Sequence, residues 1–248
     1  MDRKSDLIIL GLLLTVYLLG LTGCSQKSTP ADTTPPGPPV LLPSPADSSW
    51  DETGTDAIPQ EDWIQLVWLS RPEPDLKGYR IRRCTDEEMS TLLATKTLGS
   101  TNCDTVYQDQ SVEIGVRYYY QVTAFDQAGN ESAASDTVDY MLIPKLAQEN
   151  LTSPRGEIEE REPVFSWTST GEAMENYLRV YDVLEERTVW VSPGQNPFAT
   201  PHFVRYNEDG TAADSLLIPG HQYWWRVDRR GSELRSGSES NWVSFTVR

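Results

Sequence analysis

The chain has 248 residues, of which 38% are hydrophobic and 10% aromatic. This length and composition suffice for two domains of about a hundred residues each, so a chain without a packed core is excluded. Lysine and arginine number 21 against 37 aspartate and glutamate residues, which gives a net charge of −16 at pH 7. Because affinity for nucleic acid comes mainly from cations that neutralise phosphates, we expect no nucleic-acid partner. With two histidines and three cysteines a zinc site is difficult to assemble. Calcium could bind at residues 207–210 or at Asp126 with Asn130, but both segments read first as hairpin turns and lack the ligand spacing of a calcium loop, so we expect no metal and no cofactor.

The N-terminus has the layout of a secretory signal peptide over residues 1–23. A short polar stretch with Arg3 and Lys4 precedes an uncharged apolar run at the lower edge of the length that spans a bilayer. The run leads into Leu21-Thr22-Gly23-Cys24, which resembles the lipobox of bacterial lipoproteins. The resemblance implies cleavage before Cys24 and acylation of its thiol and its new amino group. An uncleaved single-span anchor is the alternative, and both place the rest of the chain outside the cytoplasm.

Residues 24–35 are predicted to form the lipidated cysteine and a proline-rich tether. Proline fixes φ and lacks an amide donor, so the tether should be extended and semi-rigid. Ser25 follows the cysteine, and by resemblance to enteric lipoproteins it suggests the outer membrane. We therefore expect a cell-envelope protein that contacts the membrane through its lipid and is either periplasmic or surface-exposed.

From residue 36 onward the chain shows the period-two alternation that is typical of β-strands. Hydrophobic side chains alternate over residues 64–68, 78–83 and 116–124, and turn residues separate these runs. Trp68 is predicted to point into a core from the first run. Residues 86–94 allow at most one helical turn. Short strands at this spacing predict an all-β antiparallel sandwich.

The residues around Tyr118 carry a resemblance to the fibronectin type III family. The inward Trp68, an Asp-Leu-x-Gly-Tyr-x-Ile motif and the Tyr-x-Tyr-x-Val-x-Ala run that begins at Tyr118 follow the order of that family over residues 36–143. The resemblance implies an immunoglobulin-like sandwich with a tyrosine corner, in which the Tyr118 hydroxyl bonds to the main chain a few residues upstream. Ile114 stands where the family usually has proline, and residues 43–62 form a longer connection than usual.

A second copy of the pattern covers residues 144–248. Trp167 mirrors the first inward tryptophan, and a Leu-x-Pro-Gly-x-x-Tyr spacing leads to Tyr223 as the second tyrosine corner. Residues 187–206 contain extra prolines and no clean alternation, so this copy diverges more from the family in its middle. We therefore predict two tandem fibronectin III-like sandwiches with a stiff junction near Pro144.

Two cysteines remain once Cys24 is assigned to lipid. Cys84 and Cys103 form an even pair in an oxidising compartment, which favours a disulfide between them. Such a bridge would close an exposed loop and add on the order of 3 kcal/mol to the free energy of unfolding. Two free thiols are the alternative.

Sequence motifs of catalysis do not occur in the chain. It has no Gly-x-Ser-x-Gly elbow, no His-Glu-x-x-His motif and no glycine-rich phosphate loop. The bases of the usual kind are His202 and His221, which fall in a loop and in a turn. A glycosidase pair of carboxylates needs a concave site, which two small sandwiches rarely offer. We expect no catalytic residue.

Outward aromatic residues are the candidates for ligand binding. Tyr119 and Trp224 occupy outward positions after the two corners, and Trp190 could extend such a surface. An exposed tryptophan can stack on a sugar or anchor a protein partner. Ordinary packing over aliphatic stems or beneath an arginine is the alternative. The sequence favours a lipid-anchored binding or spacer module with an unidentified protein or glycan partner. A carbohydrate-binding accessory lipoprotein of a polysaccharide-processing system is the second interpretation.

Overall fold

A computed structural model describes residues 31–70, 73–85, 91–97, 105–169 and 173–248. The predicted signal peptide, Cys24 and Cys103 lie outside these residues, so the lipid anchor and the disulfide stay predictions. Within the described ranges, no helix has the length and hydropathy needed to cross a membrane.

Strands dominate the described residues, and the predicted all-β fold is confirmed. One turn of 3-10 helix covers Gln148–Asn150. The strands in chain order are β1 (Val40–Leu41), β2 (Asp56–Ala57), β3 (Ile64–Leu69), β4 (Leu76–Cys84), β5 (Thr91–Thr97), β6 (Val106–Asp109), β7 (Arg117–Asp126), β8 (Val138–Leu142), β9 (Leu151–Ser153), β10 (Gly156–Ile158), β11 (Val164–Trp167), β12 (Ala173–Asp182), β13 (Arg187–Val191), β14 (His202–Arg205), β15 (Gln222–Gly231), β16 (Ser236–Glu239) and β17 (Val243–Val247).

The first sandwich packs two antiparallel sheets face to face. In one sheet β3 pairs with β1, β2 and β6, and in the other the order is β8–β7–β4–β5. Alternation turns Ile64, Leu66 and Trp68 of β3 into the core, where all three are buried. The Trp68 ring meets the ring of Tyr79 edge-on at a centroid distance of 5.2 Å. Trp68 is thus a core residue.

The second sandwich repeats this arrangement. β12 pairs with β13 and β15, β15 pairs with β16 and β17, and β11 lies between β9 and β14 in the facing sheet. Phe165 packs edge-on against Trp225 at 5.3 Å and against Phe245 at 5.9 Å. Trp167 is fully buried beside them. Two hydrophobic clusters result, one within residues 41–142 and the other within residues 146–247.

Each sandwich has a tyrosine at the same corner. The hydroxyl of Tyr118 accepts a hydrogen bond from the backbone N–H of Glu113 at 3.1 Å, and the hydroxyl of Tyr223 accepts one from Ile218 at 2.9 Å. A glycine three residues before each tyrosine has a positive φ, 81° in the first corner and 87° in the second. Glycine adopts this conformation without a steric penalty. The geometry is that of the tyrosine corner and makes both sandwiches fibronectin III-like.

Two stretches without a clear pattern in the sequence are part of the sheets. Residues 91–94 lie in strand β5, while residues 86–90 are outside the described ranges. Residues 187–206 contain strands β13 and β14, which are separated by residues 192–201. Alternation is absent from β13 because its pairing with β12 shifts register between Val180 and Tyr181. Residues 189–191 are consequently all buried, and the strand has no visible period of two.

Candidate functional site

The two sandwiches are joined through their sheets. β8 of the first pairs in parallel with β16 of the second, and Met141 lies opposite Ser236. Backbone hydrogen bonds run from Met141 N–H to the Arg235 carbonyl at 3.1 Å and from Ile143 N–H to the Gly237 carbonyl at 3.0 Å. One sheet of ten strands therefore runs through residues of both sandwiches. Residues 33–248 form one compact unit.

The long connection at residues 43–62, here named the strap, forms the second part of the junction. Its strand β2 pairs with β3 of the first sandwich, while Asp47, Ser49 and Glu52 contact arginines on the outer face of β12 and β15. Arg179 of β12 donates to the carbonyl oxygens of Ser49 at 2.9 Å and Asp47 at 3.3 Å. Lys145 Nζ donates to the Gln60 carbonyl at 2.9 Å. The unusual length of this connection in the sequence thus corresponds to contacts across the junction.

A buried network of charged side chains lies beneath the strap. Arg226 binds Asp228 at 2.6 Å, Glu239 at 2.7 Å and Glu52 of the strap. Arg179 binds the same Asp228 and Glu52, each at 2.9 Å. Both arginines, Asp228 and Glu239 are buried. Three carboxylates therefore share two guanidinium groups, and acid exceeds base in this network.

The acid excess changes the protonation of these carboxyls. Burial raises the pKa of Glu239 and of Glu52, and the charge of Asp228 adds to the effect in both. Although burial opposes it, the two arginines hold the pKa of Asp228 below its usual value. Nearby, burial raises the pKa of Asp47 to about 6 and that of Asp56 to about 7. The junction consequently binds protons near neutral pH that the unfolded chain releases.

An aromatic surface continues from the network along the same face. In the β12–β15 ladder, Arg179 lies opposite Arg226 and Tyr181 lies opposite Trp224. These two pairs are neighbours on the same face of the sheet, because side chains alternate between its two faces. The Trp224 ring lies 6.2 Å from Tyr181 and 6.3 Å from Trp242, and 37% of Trp224 is exposed. The Arg226 guanidinium stands 4.5 Å from the centre of the Trp242 ring. The predicted outward position of Trp224 is therefore observed, with ordinary packing on one side and an exposed portion beside it.

A cavity of about 460 Å³, here named the aromatic cavity, opens beside this surface. Its volume lies in the range of small-molecule sites, roughly 300–1,000 Å³. The residues that line it are Gln60, Gln148, Arg155, Gly156, Trp224, Trp242, Val243 and Ser244. None of these is acidic, so among the described residues the wall offers aromatic faces, amides and one guanidinium group.

Trp190 does not belong to this surface, and its predicted role in ligand binding is wrong. It is fully buried between Phe165, at a ring distance of 6.5 Å, and Tyr206, at 5.5 Å. Its indole N–H donates to Asp209 at 2.9 Å. The register shift in the β12–β13 pair turns Trp190 inward, so it is a core residue.

Tyr119 lies apart from Trp224. It lines a separate cavity of about 500 Å³ together with Arg117, Asp139 and Arg235. Asp139 binds both arginines, at 2.6 Å in the case of Arg235. The structure does not bring the two outward aromatic residues to one site. Cys84 is buried at the end of β4, and its predicted partner lies outside the described residues.

Both histidines have contacts within the fold. His202 is buried with its ring stacked on Trp167 at 4.5 Å, and Nε2 lies 3.1 Å from the Ser169 hydroxyl. Burial lowers the pKa of His202. His221 Nδ1 lies 2.8 Å from Asp182 at the second corner. Each histidine therefore contributes a packing or polar contact to the second sandwich.

Sequence reasoning missed the strap residues, the buried arginines and Trp242. Arg179 and Arg226 occupy outward strand positions, where charge normally indicates solvent. The one available signal was the length of the connection at residues 43–62. This length indicates an additional segment between two strands, but it does not indicate which surface the segment covers.

Comparison with known proteins identifies one curated relative. Over 96 residues, or 39% of the chain, the sequence is 32% identical to the exo beta-1,2-glucooligosaccharide sophorohydrolase (non-reducing end) of Parabacteroides distasonis. The match spans 13% of the length of that enzyme. No protein-family model matches the chain.

Solved structures with similar folds include fibronectin type III proteins. The FN1-FN3 domains of chicken CNTN1 match 86% of this chain and 69% of their own at 15% identity, with a TM-score of 0.35. A two-domain fibronectin type III segment of chicken tenascin matches 76% of this chain and 93% of its own at 15% identity, with a TM-score of 0.27. The beta-1,2-glucanase of Parabacteroides distasonis matches 48% of this chain and 14% of its own at 29% identity, with a TM-score of 0.31.

Proposed function

We propose that this chain is a non-catalytic binding and spacer module, anchored by lipid to the outer membrane and presented outside the cytoplasm. The observation that supports this proposal is the junction, where a shared sheet and a buried ion network unite the two sandwiches. Domains joined by a small polar interface usually move relative to each other. A united pair would keep its own surfaces in a fixed arrangement, and the proline-rich tether would hold them away from the lipid.

The anchor is tested by mass spectrometry of the full chain expressed in a bacterium. The expected product begins at Cys24 and carries the mass of its acyl chains. The variant Cys24→Ala should keep its signal peptide and lack the added mass. A wild-type protein that retains Met1 would contradict the lipid anchor and would favour the single-span alternative.

A carbohydrate ligand is the second candidate function. The exposed part of Trp224 beside a cavity rich in amides favours it, since indole faces stack on the apolar faces of sugar rings. The curated relative is named for its action on a beta-1,2-glucooligosaccharide. In this interpretation the chain would bind such a glycan and serve as an accessory protein of a polysaccharide-processing system.

Calorimetric titration of the full chain in detergent with short β-1,2-glucooligosaccharides tests this candidate. Trp224→Ala should weaken binding roughly tenfold or more, as expected when a central aromatic anchor is lost. Tyr119→Ala, in the separate cavity, is the matched control and should leave the affinity unchanged. Absence of binding by the wild-type chain would leave a protein partner as the remaining interpretation. Release of shorter sugars during the titration would contradict the non-catalytic assignment.

A further inference from the structure

The wall of the aromatic cavity comes from parts of the chain that are distant in sequence. Gln60 belongs to the strap, whereas Trp224 lies on β15 and Trp242 directly precedes β17. Gln60 has a φ of 71°, a conformation that residues other than glycine adopt at a cost. Such a conformation persists where surrounding contacts fix it, and Lys145 provides one through the Gln60 carbonyl. The docked strap therefore determines where the Gln60 amide stands.

Arg226 makes a second connection between the strap and the cavity. Its guanidinium binds Glu52 of the strap and also stands 4.5 Å from the centre of the Trp242 ring. Glu52 does not line the cavity. The Glu52 carboxylate nevertheless helps to hold the Arg226 guanidinium, which packs against the Trp242 wall of the cavity. A change at Glu52 should therefore reach the cavity through Arg226 and Trp242.

The chemistry of the wall suits a neutral sugar. Trp224 and Trp242 offer apolar ring faces, and the amide of Gln60 can both donate and accept hydrogen bonds. In the described part of the chain, no other residue forms a hydrogen bond with this amide. Arg155 adds a donor at the rim, where it already binds the carbonyl of Gln148 at 2.7 Å. Pyranose hydroxyls need donors and acceptors of this kind along their edge.

From these contacts we infer that the aromatic cavity is a composite glycan site that the strap completes. Gln60 supplies a polar contact from the strap, and the Glu52–Arg226 pair keeps the site assembled. The inference rests on the carbohydrate-binding candidate above. It adds that sugar affinity depends on the junction. A substitution that detaches the strap from β12 and β15 should weaken binding even where the substituted residue does not contact the sugar. By reciprocity, the sugar must stabilise the junction to the same extent.

Calorimetric titration of the full chain in detergent, again with short β-1,2-glucooligosaccharides, provides the test. Gln60→Gly removes the amide and suits the positive φ, and the affinity should fall roughly fivefold, the value of one hydrogen bond. Glu52→Gln keeps the side-chain size and removes the charge that binds Arg226. Its affinity should also fall about fivefold or more, in the usual range of coupling between sites.

Two control variants separate these effects from general damage. Gln108→Ala alters the neighbouring cavity of about 250 Å³ rather than the aromatic one, and Glu175→Gln breaks an ion pair with Arg230 at the surface. Both should bind the sugar as the wild-type chain does. Gln60→Gly removes no buried contact, so it stays informative even where Glu52→Gln folds poorly.

The outcomes distinguish the composite site from the carbohydrate-binding function on which it rests. Weaker binding by both strap variants, with unchanged controls, supports the composite site. Normal binding by Gln60→Gly and Glu52→Gln, with binding lost in Trp224→Ala, overturns the composite site and leaves the carbohydrate-binding candidate intact. A wild-type chain that binds no β-1,2-glucooligosaccharide overturns both.

Discussion

Replacement of Arg226 by methionine is the sharpest test of the buried network. Arg226 is 2% exposed, and its guanidinium binds Asp228, Glu239 and Glu52. Methionine keeps most of the side-chain volume and removes the charge. Asp228 and Glu52 then share Arg179, and Glu239 loses the guanidinium that binds it. Breaking a buried ion pair in this way costs about 3–5 kcal/mol, because it leaves uncompensated charge in a site of low polarity.

The cost of Arg226→Met should depend on pH. Burial already raises the pKa of Glu239 and of Glu52, so these carboxyls can take up protons when their partner is lost. The loss of stability should therefore be largest near pH 8 and smaller near pH 5.5. At about 2–4 °C per kcal/mol for a unit of this size, the melting temperature should fall by roughly 6–20 °C at pH 8.

Urea unfolding of the full chain in detergent, followed by tryptophan fluorescence, measures this effect. Arg230→Met is the matched control on the same strand, because its ion pair with Glu175 is exposed and should contribute under about 1 kcal/mol. Arg226→Lys should recover part of the lost stability. An equal loss at pH 5.5 and pH 8, or a loss no larger than that of Arg230→Met, would refute the reasoning.

Three further predictions concern the junction, the corner and the core. Because burial raises the pKa of Asp56 from 3.8 to about 7, the folded chain holds a proton that the unfolded chain releases, so the unfolding free energy should fall as the pH rises from about 4 to about 7 and level off above; Asp56→Asn should flatten that slope in urea titrations. Tyr223→Phe leaves the Ile218 N–H without its acceptor and should cost about 1–2 kcal/mol in chemical unfolding; a neutral result would remove the corner from the stabilising contacts. Trp190→Ala should cost about 3–5 kcal/mol and Trp224→Ala under about 1 kcal/mol, and the reverse order in thermal unfolding would contradict the burial of Trp190.

The sandwich itself could be predicted from the sequence because its signals are local. Alternation in β3 and β7 indicates which side chains enter the core, and it identifies Trp68 and Tyr118 correctly as inward residues. The corner needs only a glycine with positive φ and a tyrosine three residues later. Both signals lie within a few residues of each other, so a single sequence is sufficient to find them.

The junction could not be predicted because its contacts connect distant parts of the chain. Glu52 and Arg226 are 174 residues apart. Alternation marks Arg226 as outward, but it cannot say that another segment covers that face. The prediction for Trp190 was wrong for a different reason. A register shift hides the alternation of β13, so the sequence placed Trp190 in a loop or at an edge rather than in a core strand.

Differential scanning calorimetry of the full chain in detergent near pH 6 tests the union of the two sandwiches most directly. A shared sheet and a buried network should make residues 33–248 unfold in one cooperative transition, with the calorimetric enthalpy equal to the van't Hoff enthalpy. Two separate transitions, unaffected by Arg226→Met, would contradict a united pair and with it the proposed rigid module.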